Sequence, residues 1–360
     1  MQTSDFTQLH THPATTQQLT IIDYPKTMKA AIRKGILGYT ISFSDNFATP
    51  AFKPETKNKN DVFVKLNAAA INPVDYKMPR AALGPVLGMD FCGIVEKLGE
   101  DASTKFQVGD VVYGIGKGSV AEYCVAESDK IAIAPPYLNS AECAVLPIAY
   151  MSALQCLRRG GIIDEECSEQ DGKTVLVIGA SGGCGIAGLQ ICKAVGVTRV
   201  VAICSGKNEQ LAKDMGATEV VDYTKGSELE LFFKENAGKF DCVYDAATGS
   251  GGGEDYWDKS LALLKRDDDS KLIGHFTALN GSKSKWLRNI LGKEKPNESL
   301  IMMNANTADL ELVVLLLRKN GARPLTNVMP FDEKGVEDAF KLLKSRRAKG
   351  KIVFDIAQNL

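Results

Sequence analysis

The run Val175-Leu-Val-Ile-Gly-Ala-Ser-Gly-Gly-Cys-Gly-Ile-Ala-Gly188 constrains this chain more than any other segment. Its four leading apolar residues predict a strand buried on both faces, as in a parallel sheet. Glycines then punctuate a turn, and Ile186–Val195 has the spacing of an amphipathic helix. Read as G-x-G-x-x-G, the frame is Ala180-x-Gly182-x-x-Gly185, with the first glycine replaced. A strand before it and a helix after it give such a frame meaning. Gly182 and Gly183 let the backbone approach a pyrophosphate, and the helix start offers unpaired N–H groups and positive dipole charge. Ser181, Gly182, Gly183, Cys184 and Gly185 are therefore candidate cofactor-binding residues. A glycine turn that serves tight packing alone is the competing reading.

The surroundings agree with a doubly wound sheet. Strand candidates Thr174–Ile178, Val200–Cys204, Val220–Val221, Cys242–Tyr244 and Lys271–Gly274 alternate with helical segments such as Glu209–Met215, which argues for a parallel α/β fold. With 360 residues the chain has room for a second domain. Residues 28–135 read as irregular and mostly β, with Asp61–Asn67 alternating as a half-buried strand. Ala141–Leu157 is an apolar helix candidate, and Ala308–Lys319 and Lys351–Ile356 a late helix and strand. Residues 276–299 read as a basic loop around Trp286. Within it Trp286, Leu287, Ile290 and Leu291 share one helical face, which suggests a packed helix or a lid over an apolar substrate.

The second strand bears on cofactor choice. An NAD site carries Asp or Glu at that strand's tip, for the ribose 2′-OH. Here Val200–Cys204 runs into Ser205-Gly206-Lys207-Asn208. A hydroxyl and a cation, Ser205 and Lys207, suit a 2′-phosphate, and so NADPH.

Composition excludes other classes. Lys and Arg number 43 against 44 Asp and Glu, so the chain is not a globally basic nucleic-acid binder. The uncharged stretch Thr174–Cys192 holds five glycines and is not a membrane span, so no firm membrane anchoring is expected. The cysteines number nine, with no CxxC spacing, which argues against a disulfide framework or a four-cysteine zinc lobe and for a reducing compartment. Residues 1–27 are Thr- and Gln-rich, hold His10 and His12, and lack Arg and an apolar core, so they read as a flexible extension without signal or clear transit peptide. The expected location is the cytoplasm, with an organelle left open.

Several further runs carry a resemblance: Asn72-Pro-Val-Asp-Tyr-Lys77, Gly88-Met-Asp-Phe-Cys-Gly93, Val108-Gly-Asp-Val-Val-Tyr-Gly114, Ser119-Val-Ala-Glu-Tyr123, Leu146-Pro147, Val221-Asp-Tyr223, Phe240-Asp-Cys-Val-Tyr-Asp245 and Gly350-Lys-Ile-Val353. In this order they resemble the medium-chain dehydrogenases/reductases, in the zinc-independent quinone oxidoreductase branch, and within it the plant-type NADPH enone (alkenal) oxidoreductases. The resemblance implies a GroES-like, mostly β catalytic domain from residues 28–149 and 301–360. It implies a Rossmann domain over 150–300, the cofactor between the two, and a homodimer. It places Asn72 at the nicotinamide end and Tyr223 beside the adenosine. Zinc members carry Gly-His-Glu where this chain has Gly88-Met89-Asp90, and its histidines, His10, His12 and His275, fall on no ligand position. No metal site is expected.

The implied reaction is hydride transfer from NADPH to the C=C of an α,β-unsaturated carbonyl, or to a quinone. Asn72, Asp75 and Lys77 are the candidate catalytic residues, with Lys77 polarising the carbonyl or passing a proton. One-electron quinone reduction and a non-catalytic NADPH-binding role remain the alternatives.

Overall fold

The computed structural model describes residues 24–35, 40–53, 59–248 and 255–358. Most of the N-terminal extension, residues 1–23 with His10 and His12, lies outside them. Among the described residues the strands are β1 (Thr27–Lys34), β2 (Thr40–Ala48), β3 (Asp61–Ala70), β4 (Asp90–Leu98), β5 (Val111–Lys117), β6 (Tyr123–Ile133), β7 (Thr174–Ile178), β8 (Arg199–Cys204), β9 (Glu219–Asp222), β10 (Cys242–Asp245), β11 (His275–Ala278), β12 (Glu298–Leu300), β13 (Thr326–Pro330) and β14 (Lys351–Asp355).

They form two six-stranded sheets and a hairpin, β1-β2. One sheet runs β13-β14-β3-β4-β5-β6 and folds back on itself, because β3 pairs with β6 as well as with β4. Its C-terminal members, β13 and β14, reach it by long-range pairing of Val353 with Ala70 and Phe354 with Ala69. The other sheet runs β12-β11-β10-β7-β8-β9, with every pair parallel. Reversed, its order is third-second-first-fourth-fifth-sixth in chain sequence, the doubly wound arrangement of dinucleotide-binding domains. Val175, Leu176, Val177 and Ile178 are wholly buried, as the apolar run requires.

Three expectations need correcting. Lys271–Gly274 is not a strand; the fifth parallel strand is β11, four residues later. A buried Thr277 and a half-buried His275 interrupt its apolar run and hide it from pattern reading. The segment 276–299 is not a plain loop: it holds most of β11, the helix Lys283–Ile290 and the start of β12. Only Trp286 of the proposed apolar face packs inward, while Leu287, Ile290 and Leu291 stay exposed. Ala141–Leu157 divides into Ser140–Ala144 and Pro147–Arg159, because Pro147 starts a new helix where its missing N–H costs nothing.

Candidate functional site

The strand order reverses between β7 and β10, and the glycine turn leaves β7 there. In doubly wound sheets ligands bind at this switch point. The turn's tight glycine is Gly179, at φ +77°, one residue before the position read from the sequence. The frame is therefore Gly179-x-x-Gly182-x-x-Gly185. A Cβ on Gly185 would lie 2.2 Å from the Gly179 carbonyl oxygen, and one on Gly188 would lie 2.8 Å from the Tyr244 ring. These glycines close the turn and seat the helix on the sheet.

Gly182 differs from them. It is the N-cap of the helix Gly183–Ala194, at φ −82° and ψ 167°, with no side chain capping the first turn. A Cβ there would meet nothing closer than 3.5 Å. The first N–H groups of the helix have no acceptor within it. This uncapped, roomy helix start fits a pyrophosphate. Cys184 stands in the same first turn, and burial pushes its thiol up to about 11, so it is a neutral packing group.

The tip of β8 carries the second part of the site. Ser205 is buried and accepts a hydrogen bond from Asn208 Nδ2 at 3.1 Å, while Lys207 is exposed. Asn208 Oδ1 is buried and has no partner among the described residues, an orphaned acceptor beside the candidate ribose-phosphate position. Tyr223 follows β9, is 49% exposed, and donates its backbone N–H to the Cys204 carbonyl. Ser205 and Lys207 thus follow β8 and Tyr223 follows the neighbouring strand β9, at the same end of the sheet.

Sequence reasoning missed Asp222. No acid follows β8 in sequence, yet β9 brings one to the same place. The Asp222 carboxylate lies so close to Gly206 that a Cβ on that glycine would stand 2.3 Å from Oδ2. Hydrogen bonds from Thr224, and further from the Gly206 amide, hold its pKa below the usual carboxylate range. The parallel pairing of Cys204 with Asp222 brings it there, although the run Val221-Asp-Tyr223 already carried the resemblance.

The catalytic candidates lie across from the turn, on the loop after β3. Asn72 precedes the short helix Pro73–Lys77, whose capping box is reciprocal with Asp75. Asn72 N–H donates to Asp75 Oδ2 at 2.7 Å, and Gly88 N–H donates to Oδ1 at 3.1 Å. Asn72 Nδ2 donates to Asp90 Oδ2 at 2.9 Å, and the Ile148 N–H donates to Asp90 Oδ1. Arg33 closes the cluster, 3.9 Å from Asp75 and bonded to the carbonyls of Asp75, Gly84 and Val86. Burial raises the Asp75 carboxyl to about 6 and pushes Asp90 up as well. Asn72 and Asp75, 2% and 1% exposed, are joined in one buried network. Lys77 is outside it. Its side chain is exposed at the end of the helix, with its pKa lowered by partial desolvation and by Arg346.

Among the described residues no group of three or more His, Cys, Asp or Glu is arranged to hold a metal ion, and all nine cysteines are free thiols. Among the described residues no helix is long and apolar enough to cross a membrane.

Residues 58–136 match the alcohol dehydrogenase GroES-like domain, and residues 215–354 match the family described as zinc-binding dehydrogenase. A 2-methylene-furan-3-one reductase of Solanum lycopersicum is 30% identical, over 94% of this chain and 82% of that protein. A chloroplastic NADPH-dependent alkenal/one oxidoreductase of Arabidopsis thaliana is 28% identical, over 91% of this chain and 80% of that protein. Among solved structures, the quinone oxidoreductase from Coxiella burnetii shares the fold with a TM-score of 0.71 at 24% identity, over 92% of this chain and 100% of that one.

Proposed function

The chain belongs to the medium-chain dehydrogenase/reductase family, in its quinone oxidoreductase branch, and on that premise we propose that it is an NADPH-dependent reductase of α,β-unsaturated carbonyls or quinones. The observation that carries this reading is the uncapped helix start at Gly182, placed at the switch point of a six-stranded parallel sheet. The names of the similar reductases supply the acceptor class.

Bound NADPH supplies the hydride. The chain's own task is to bind, orient and place a cation near the acceptor's oxygen. Gly182, Gly183, Cys184 and Gly185 offer the pyrophosphate their backbone, with Ser181 at the turn. Ser205, Lys207 and Tyr223 hold the 2′-phosphorylated end. Asn72 and Asp75, spent on each other and on Asp90 and Gly88, act as supports that fix their loop. Lys77 is an exposed cation of that loop, and its lowered pKa supports a role in polarising the carbonyl or passing a proton from Nζ. Lys77→Met should lower kcat while NADPH affinity holds.

The reaction needs no zinc in this reading, since Met89 stands where zinc members carry His. The reading also includes a homodimer and a cytoplasmic location. Exposed Leu287, Ile290 and Leu291, near the edge strand β12, support the first, and nine free thiols support a reducing compartment. Light scattering and a tagged chain in cells test the two. The central test is NADPH oxidation against a panel of enones and quinones, with the products identified. Saturated ketones or hydroquinones are expected; semiquinone formation favours one-electron transfer, and no turnover with any acceptor overturns the reading.

A further inference from the structure

Lys351, at the start of β14, is a cation where cations are rarely found. It is 7% exposed, and its ammonium donates to Ile71 O at 3.0 Å, Asn72 Oδ1 at 2.5 Å and Asp90 Oδ2 at 3.2 Å. An ammonium has three donors, and all three are used. Asn72 lies 279 residues away in sequence, so this contact exists only because β14 returns to pair with β3.

The other end of the same residue touches the glycine turn. A Cβ on Gly183 would stand 2.7 Å from Lys351 Cγ and Cδ, so the lysine stem occupies the space that Gly183 leaves by having no side chain. The backbone joins as well. Gly350 N–H donates to Ser181 O at 3.3 Å, and Gly350 bridges Gly182. One short segment therefore holds the turn by its main chain and stem, and the Asn72 loop by its charge.

The charge also sets which way Asn72 faces. Its Oδ1 accepts from Lys351 and its Nδ2 donates to Asp90. Without the ammonium, Asn72 Oδ1 loses its donor, and the buried Asp90, still bonded to Ile148 N–H, loses the adjacent cation that favours its charged form. The Asp90 carboxylate accepts from the Ile148 N–H in the first turn of the helix Pro147–Arg159, which packs against strands of both six-stranded sheets. The fixing of this helix thus depends on the same cluster.

We propose that Lys351 is a positioning residue: it locks the Asn72 loop to the glycine turn, so that binding at the turn and reaction at the loop occur in one fixed geometry. The inference rests on the reading above, in which the dinucleotide lies between these two segments. A displacement of about 1 Å at a reacting centre costs roughly a hundredfold in rate, so coupling of this kind is worth much in kcat and little in affinity.

The test uses the full chain. Lys351→Met keeps the stem against Gly183 and removes the charge. NADPH affinity, read by fluorescence titration, should hold, because the turn is intact. The single-turnover rate should fall by about a hundredfold. A primary isotope effect with 4-deuterated NADPH should become fully expressed, since hydride transfer then limits. Lys351→Arg is the second variant. It keeps a cation and should fold even where Met does not, but its planar fork cannot reproduce one point charge on three acceptors, so kcat should drop about tenfold at wild-type affinity. Affinity and rate falling together, in step with the melting temperature, would mean a merely structural lysine and overturns the inference. Wild-type kcat in either variant does the same. Wild-type protein that binds no NADPH refutes the functional reading itself, which separates the two failures.

Discussion

Two glycines three residues apart should respond to the same substitution in opposite ways. In Gly185→Ala the new Cβ stands 2.2 Å from Gly179 O and 2.6 Å from Ala180 Cα, both backbone atoms. Neither can yield without opening the turn. Overpacking of this kind costs about 1–3 kcal/mol. At about 2–4 °C per kcal/mol for a domain of this size, the melting temperature should fall by roughly 2–12 °C. In Gly182→Ala the backbone is already in the extended region, at φ −82°, and the nearest atom to the new Cβ is 3.5 Å away. The stabilisation from removing entropy from the unfolded chain, about 0.4–1 kcal/mol, is offset by alanine's weakness as an N-cap. Stability should therefore be near wild type. The methyl group instead stands at the helix start that a pyrophosphate must approach. Losing one backbone hydrogen bond to a charged group costs about 1.5–3 kcal/mol, or roughly tenfold to a hundredfold in Kd. Thermal melts paired with NADPH fluorescence titrations read both quantities on the same samples. Gly182→Ala that binds NADPH like the wild type refutes the assignment of the turn, and so does Gly182→Ala that melts as low as Gly185→Ala.

Other outcomes follow from the same site. Lys207→Ala should weaken NADPH about tenfold and leave NADH nearly unchanged, and equal loss for both cofactors refutes the 2′-phosphate role. Asp222→Asn removes the negative charge held against Gly206 and should tighten NADPH severalfold, measured by the same titration; unchanged or weaker binding refutes its place beside that phosphate. Exhaustive chelation should leave the rate unchanged, whereas one tightly held zinc per chain, lost together with activity, refutes the metal-free mechanism. Asp75 titrates near 6 in the folded chain against about 3.9 unfolded. Between those values the native state binds a proton that the unfolded chain does not, so this contribution is fully present below about pH 4 and is lost as pH rises through about 6. Its full size is about 3 kcal/mol, from roughly two units at 1.36 kcal/mol each. Urea melts of wild type and Asp75→Asn from about pH 4 to about pH 7 should diverge with that sign, and a pH-independent difference refutes it.

Local chemistry was legible in the sequence, and pairing across the fold was not. The β7 run, the glycine turn and the Asn72 loop each carry their signal in adjacent residues, because a buried parallel strand, a tight turn and a capping box are all short-range devices. The turn glycine was misplaced by one residue. The spacing G-x-x-G-x-x-G puts Gly179 at the strand's end, where only its positive φ shows that it makes the turn. β11 escaped because a buried threonine and a half-buried histidine break its apolar run, and only the neighbouring strands show that it belongs to the sheet.

The two residues that most change the reading of the site, Asp222 and Lys351, are ordinary surface types in any local window. Each is brought to the candidate site by a strand pairing: Cys204 with Asp222 in one sheet, and Val353 with Ala70 in the other. A strand partner moves a side chain to a place that its own neighbours do not describe. Lys351 shows the consequence most clearly. A lysine on its own pattern belongs in water, and burying its charge is costly unless the ammonium is paired and hydrogen-bonded. Three acceptors from two distant segments meet that condition. The burial is sustained only while the C-terminal strand, the Asn72 loop and the glycine turn are assembled together. The same ammonium that makes the assembly costly to form makes its geometry single-valued once formed, and a hydride-transfer site between two domains needs that property.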